Sequence, residues 1–150
     1  MNRRFVFGAI VSMAVFVCGC ATGPKYAEVG KSIPPPAAGE GRIYFFRSNS
    51  LWGFAIQPDI RLNDVVVGSS KPGGFFYIDR PAGTYIGAAT TETEKTLSFV
   101  LAAGETKYIR TSLGSGVLVG RIILDLEDPR KAQAEIETLS FTGVVNNGTK

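Results

Sequence analysis

Histidine is absent from all 150 residues. It is the one side chain whose unperturbed pKa lies near neutrality, and the commonest general base and metal ligand. Serine–histidine triads and histidine-built zinc sites are therefore excluded. Cysteine is nearly absent too: Cys18 and Cys20 lie together near the N-terminus, where they can neither staple a fold of this length nor form a four-ligand zinc site. Charge is sparse, at 19% of residues against 45% hydrophobic. That is enough apolar surface to offset the conformational entropy of one domain, or of one domain with a tail. Stability has to come from packing.

No apolar run is long enough to remain as a membrane span. Phe5 to Val17 is an uncharged stretch of 13 residues behind Arg3 and Arg4, whereas crossing the hydrocarbon takes about 20. A short apolar run behind positive charges is the pattern of a secretory signal, read here as residues 1–19. At its end, Val17-Cys18-Gly19-Cys20 resembles the lipobox of bacterial lipoproteins: aliphatic, small, small, cysteine. The resemblance implies cleavage before Cys20, a diacylglyceryl thioether on its sulfur and commonly acylation of the new amine. Two or more acyl chains anchor stably where one is marginal. Ala21 follows the cysteine in place of the aspartate that resembles an inner-membrane retention signal, which implies the outer membrane, facing the periplasm. The alternative is an ordinary secretory signal cut near Ala21 with two incidental cysteines.

Loss of Arg3 and Arg4 with the signal leaves 14 basic residues against 13 acidic ones. The remaining charges are scattered singly, so nothing argues for nucleic-acid binding. Residues 20–41 are rich in breakers, with Pro34-Pro35-Pro36 at their centre. They read as a lipidated N-terminus and a Pro/Gly-rich tether of up to ~60 Å if fully extended as polyproline II.

From Arg42 to the C-terminus the apolar period is mostly two. Ile60 and Leu62 alternate with polar neighbours, and Val65 and Val67 follow Asn63-Asp64, which predicts a hairpin with a two-residue turn. Leu97, Phe99 and Leu101 lead through Ala103-Gly104-Glu105 into Thr106 to Leu113, which predicts another hairpin. Leu118, Ile122, Leu124 and Leu126 are expected to face one way, with Arg121, Asp125 and Glu127 opposite. Further strands are expected over Ile43–Arg47, Phe75–Asp79 and Thr84–Thr91, the last two joined by Arg80-Pro81-Ala82-Gly83. About eight short strands predict a mainly β domain over residues 42–150, an antiparallel β-sandwich or, as the alternative, a small β-barrel. One short C-terminal helix is predicted, with Asp128 as cap, Pro129 in the first turn and Ala132, Ile136 and Leu139 on one face, packing over an open end or edge of the sheet.

Several stretches together resemble the domain of unknown function 2846 of small proteobacterial lipoproteins. They are Gly41 to Arg47, Ile60 to Asp64 with Val67-Gly68, Phe75 to Asp79 with Pro81-Ala82-Gly83-Thr84-Tyr85, and Leu101 to Arg110. The resemblance implies a lipid-anchored envelope protein. It supplies no activity, cofactor or catalytic residue.

Among candidate sites, Gly114-Ser115-Gly116 lacks the Gly-Lys-Ser/Thr of a phosphate loop, and a strand follows it. Asp125, Glu127 and Asp128 could offer oxygens to calcium, but no calcium-loop pattern surrounds them, and a solvated strand face with a helix cap accounts for them. No catalytic, metal or cofactor residues are assigned, and an enzyme is not expected. The loop from Ser48 to Pro58 holds the only tryptophan. Trp52 and Phe54 there are either a partner contact or a plug folded back into the end of the sandwich. The expected function is a lipid-anchored interaction or accessory module that meets an envelope protein partner, with an exposed strand edge as a candidate for pairing. The alternative is a peptidoglycan or glycan binder.

Overall fold

The computed structural model of the protein describes residues 21–114 and 120–143. A one-turn helix α1 (Tyr26–Val29) and a 3-10 turn (Gly30–Ser32) precede seven consecutive strands: β1 (Glu40–Phe46), β2 (Asp59–Leu62), β3 (Val65–Ser69), β4 (Gly74–Pro81), β5 (Gly83–Thr90), β6 (Glu94–Leu101) and β7 (Thr106–Gly114). Then come β8 (Arg121–Leu126), helix α2 (Pro129–Ile136) and the two-residue β9 (Ser140–Phe141). The strands form two sheets, β8-β7-β1-β4-β9 and β3-β2-β5-β6, packed as a sandwich that does not close into a barrel. The ninth strand is too short to leave a period in the sequence.

Strand β1 shows why two cores exist. A half-buried strand alternates, but Gly41 to Phe46 are all buried, as happens when both faces of a strand are covered. Ile43 and Phe45 point between the sheets and meet Ile60, Phe76, Ile109 and Leu124. Tyr44 and Phe46 point the other way, onto a second cluster with Phe75, Tyr108, Ala132, Ile136 and Leu139. Helix α2 covers that second face, capped as its sequence predicts: Asp128 accepts from the N–H groups of Arg130 and Lys131 at 3.0 and 3.2 Å. It lies on the outer face of the five-stranded sheet, not over an end or edge as expected. The outward aromatics of β1 and β7 make that face too apolar to leave in water.

The Asn63-Asp64 turn adopts the left-handed backbone at both positions, φ 47° and 65°, as the two-residue hairpin turn requires. The hairpin expected from β6 to β7 is not formed. Strand β6 pairs with β5 in one sheet, while β7 lies in the other between β1 and β8. The Ala102–Glu105 turn is a crossover stapled to the start of β1, with Arg42 N–H donating to Glu105 O and Gly104 N–H to Glu40 O, both at 2.8 Å. The turn across Pro81 to Gly83 likewise carries the chain from one sheet to the other. Strand β7 runs parallel to β1, and β9 parallel to β4, so the five-stranded sheet is mixed.

The segment read as a tether runs along the domain from Ala21 onward. Tyr26 N–H donates to Leu139 O at 3.1 Å and Phe141 N–H to Pro24 O at 2.8 Å. The Tyr26 ring meets Phe75 edge-on at 5.5 Å. Breaker-rich composition hides this docking because only two side chains, Tyr26 and Val29, reach the second core. Among the described residues no helix is long and apolar enough to cross a membrane.

Candidate functional site

Two surface features converge on the ends and edges of the sandwich. The first is the loop from Ser48 to Pro58. It leaves β1 at Arg47, a residue only 3% exposed. No carboxylate meets this guanidinium in the described residues. It donates to Ile56 O at 2.6 Å, Gly53 O at 3.0 Å and, weakly, Ser70 O at 3.4 Å. Burial pushes its pKa down from the ordinary arginine value, and the carbonyl dipoles compensate the charge. The planar fork thus winds the loop around a single side chain. Gly53 sits at φ 68°, a backbone hand that favours glycine, and a Cβ there would have to displace the tip of the Leu113 side chain.

With the loop held from beneath, its upper side chains stand in solvent: Leu51 is 86% exposed, Trp52 61% and Phe54 41%. The plug expected of Trp52 and Phe54 is supplied instead by Ile56, which packs against the inter-sheet core. Trp52 and Phe54 both stand exposed on this loop. Arg47 was not legible as the organiser of this loop. Its one signal is a lone arginine closing an apolar strand just before turn residues.

A second cation ties the base of the loop to helix α2. Arg110 donates to Glu127 at 2.7 Å, to Glu135 at 2.6 Å and to Ser48 Oγ at 2.8 Å, with its guanidinium 4.8 Å above the Phe46 ring. Ser48 in turn donates to Glu135. Partial burial alone would raise the Glu135 carboxyl, but the bonds from Arg110 and Ser48 prevail and hold it below the usual carboxylate range. A carboxyl held low in the folded state adds stability that is present above its unfolded pKa and is lost as pH falls through the lowered folded value. Glu135→Gln is therefore expected to flatten the acid limb of the stability profile, below the ordinary glutamate pKa, and to change little in shape above it. Thermal midpoints measured across that range would check it, and an unaltered acid limb would contradict it. Glu127 bonds to Arg110 and Asp128 caps the helix, so two of the three carboxylates considered for calcium already serve these roles. Among the described residues no group of three or more metal-ligating side chains is assembled.

The second feature is a cleft of about 1090 Å³ between the sheets, lined by Phe76 to Arg80 of β4, Val66 to Ser69 of β3, Ile33 and Pro34 of the entering chain, and Phe141 to Gly143. The sandwich is closed on one side, where β8 packs beside β5 and β6, and open on the other, where β3 is the edge of one sheet and the short β9 leaves most of β4 uncovered in the other. Strand β9 covers only Gly74 and Phe75 of β4. Arg47 N–H donates to Gly74 O, and Thr142 N–H to Phe75 O. In an antiparallel ladder the direction alternates, so the backbone groups of Tyr77 and Asp79 point away from β1, toward the cleft. Beyond Phe75 no strand of the described residues lies beside β4 on that side, so the main-chain groups of Tyr77 and Asp79 have no ladder partner there.

The floor of this edge is rigid. Arg42 grips Asp79 with two bonds of 2.7 Å, donates to Pro34 O at 2.5 Å and lies 4.4 Å over the Tyr77 ring. Burial alone would lower the Arg42 pKa, but Asp79 outweighs it and raises the value above the ordinary one. Burial also pushes the neighbouring Tyr44 phenol up to about 12, so it stays neutral. The sequence marks Phe75–Asp79 as a strand but not as an open one, because an edge is a property of sheet order and not of local pattern. Cys20, Ser115 and Gly116 lie outside the described residues.

Residues 37–121 match the profile of the family described as protein of unknown function (DUF2846). An uncharacterized protein of Haemophilus influenzae is 26% identical over 148 residues, covering 94% of this chain and 86% of that protein. No solved structure matches the chain.

Proposed function

The chain belongs to the DUF2846 family, and from that premise we propose that it is a lipid-anchored cell-envelope module that captures an extended segment of an envelope protein and catalyses no reaction. The lipobox-like Val17 to Cys20 supports the anchor, on the outer membrane facing the periplasm. The observation that carries the binding half is the cleft with its unpaired β4 edge. Tyr77 and Asp79 offer main-chain hydrogen bonds to an added strand, and the half-buried Val67 and Ile78 alongside offer apolar surface to its alternate side chains. That combination is how strand addition obtains affinity and specificity.

The test places a photoreactive side chain at Val66, on the exposed β3 edge, and another at Ser98, on the far face of β6, in intact envelopes. A protein adduct from position 66 that is absent from position 98, with slowed amide exchange at Tyr77 and Asp79 in the isolated complex, is the expected result. Equal adducts from both positions, or unchanged exchange at those amides, would contradict it. The exposed Trp52 favours a second reading, a glycan binder. That reading predicts co-sedimentation with peptidoglycan sacculi, lost on Trp52→Ala.

A further inference from the structure

The end of the sandwich where the described chain begins is also the end that exposes its largest apolar side chains. Ala21, the residue after Cys20, donates its N–H to Pro72 O at 3.4 Å, and a Cβ on Gly74 would sit 3.1 Å from that of Ala21. The same Lys71–Gly74 turn holds the base of the tryptophan loop. Gly73 N–H donates to Ser48 O at 3.3 Å, and a Cβ on Gly73 would sit 3.4 Å from Asn49. One short turn thus has the entering chain on it and the exposed loop beside it.

The loop itself has a particular chemistry. From Ser48 to Pro58 it contains no charged residue, and its exposed members are a leucine, a tryptophan and a phenylalanine. Tryptophan is the side chain most at home at the boundary of headgroups and acyl chains, with an apolar body and one polar N–H. The Arg47 bonds already order the loop, so little conformational freedom is lost when it is buried. A lipid on Cys20 would reach the protein one peptide bond from Ala21, and from there the chain is docked on the domain and does not extend away from it. Such a short connection gives the adjacent surface a high effective concentration of bilayer.

We infer that Leu51, Trp52 and Phe54 form a membrane-interface contact, seating this end of the domain upon the bilayer that anchors it. This rests on the lipid-anchor reading of Cys20 given above. The occupant is a lipid surface and not a protein, because the loop shares its supporting turn with the residue next to the anchor.

Trp52 is the only tryptophan, so its emission reports on this loop alone. The full chain is purified from bacterial envelopes, its intact mass is measured, and it is reconstituted into vesicles of phosphatidylethanolamine and phosphatidylglycerol. The expected result is a blue-shifted Trp52 emission, quenching by lipids brominated near the headgroup end of their chains, and loss of iodide access. The double variant Leu51→Ser, Phe54→Ser keeps the probe and should lose the bromine quenching while retaining its lipid mass and thermal midpoint. A lipidated wild-type protein whose Trp52 stays open to iodide and insensitive to bromine would overturn the contact and leave the anchor standing. A chain with no lipid mass would overturn both, and the mass alone separates the two failures.

Discussion

Arg47→Leu is expected to destabilise the domain by ~3 kcal/mol, since each buried carbonyl left without a donor costs about 1–3 kcal/mol and those on the loop can turn partly to water. The charge itself adds little: with no carboxylate beside it among the described residues, the guanidinium works as a set of donors, linking Gly53 and Ile56 of the loop to Ser70 of the neighbouring turn. Arg47→Lys should recover only part of the loss, because a compact ammonium cannot span these carbonyls as a planar fork does. Urea unfolding would show a lower midpoint with an unchanged slope, and proteolysis within residues 48–58 would quicken. A midpoint equal to that of the wild type would show that the carbonyls find other donors, and that Arg47 does not organise the loop.

Phe45→Ala is expected to have the larger effect. Phe45 is 1% exposed and stacks on Phe76 at 5.0 Å in the core between the sheets, where truncation of a phenylalanine costs about 3–5 kcal/mol in lost burial and residual cavity. At roughly 4 °C per kcal/mol for a domain of this size, the thermal midpoint should fall by about 12–20 °C. Trp52→Ala with Phe54→Ala removes more apolar volume than Phe45→Ala does, but from the exposed loop, and should stay within about 0.5 kcal/mol of wild type. Calorimetry on the two variants decides the matter. A fall on the loop variant as deep as on Phe45→Ala would place Trp52 and Phe54 in the core, against their observed exposure.

The parts of this fold that could be read from the chain are those whose cause is local. Asn63-Asp64 between two alternating runs makes a hairpin because both residues accept positive φ, and Asp128-Pro129 opens a helix because one supplies an acceptor and the other a preset φ. Alternation also places Ile122 and Leu124 in the core, while Leu126, at the end of the same strand, is half exposed. What could not be read depends on partners distant in sequence. The β6 and β7 strands were identifiable, yet their turn gives no sign that they part into different sheets, because an Ala-Gly-Glu turn serves a hairpin and a crossover equally. The docking of Pro24 and Tyr26 against Leu139 and Phe141, across more than a hundred residues, leaves no periodic trace. The candidate site divides in the same way. Trp52 and Phe54 stand out as aromatics among turn residues, whereas the Tyr77–Asp79 edge exists only because β9 ends where it does.

The proposed anchoring of the domain to a membrane through Cys20 is tested most directly by the intact mass of the chain recovered from its native envelope. The predicted result is a polypeptide beginning at Cys20 that carries a diacylglyceryl group and a further acyl chain. A polypeptide beginning at Ala21, or one beginning at Cys20 with no added mass, would contradict it.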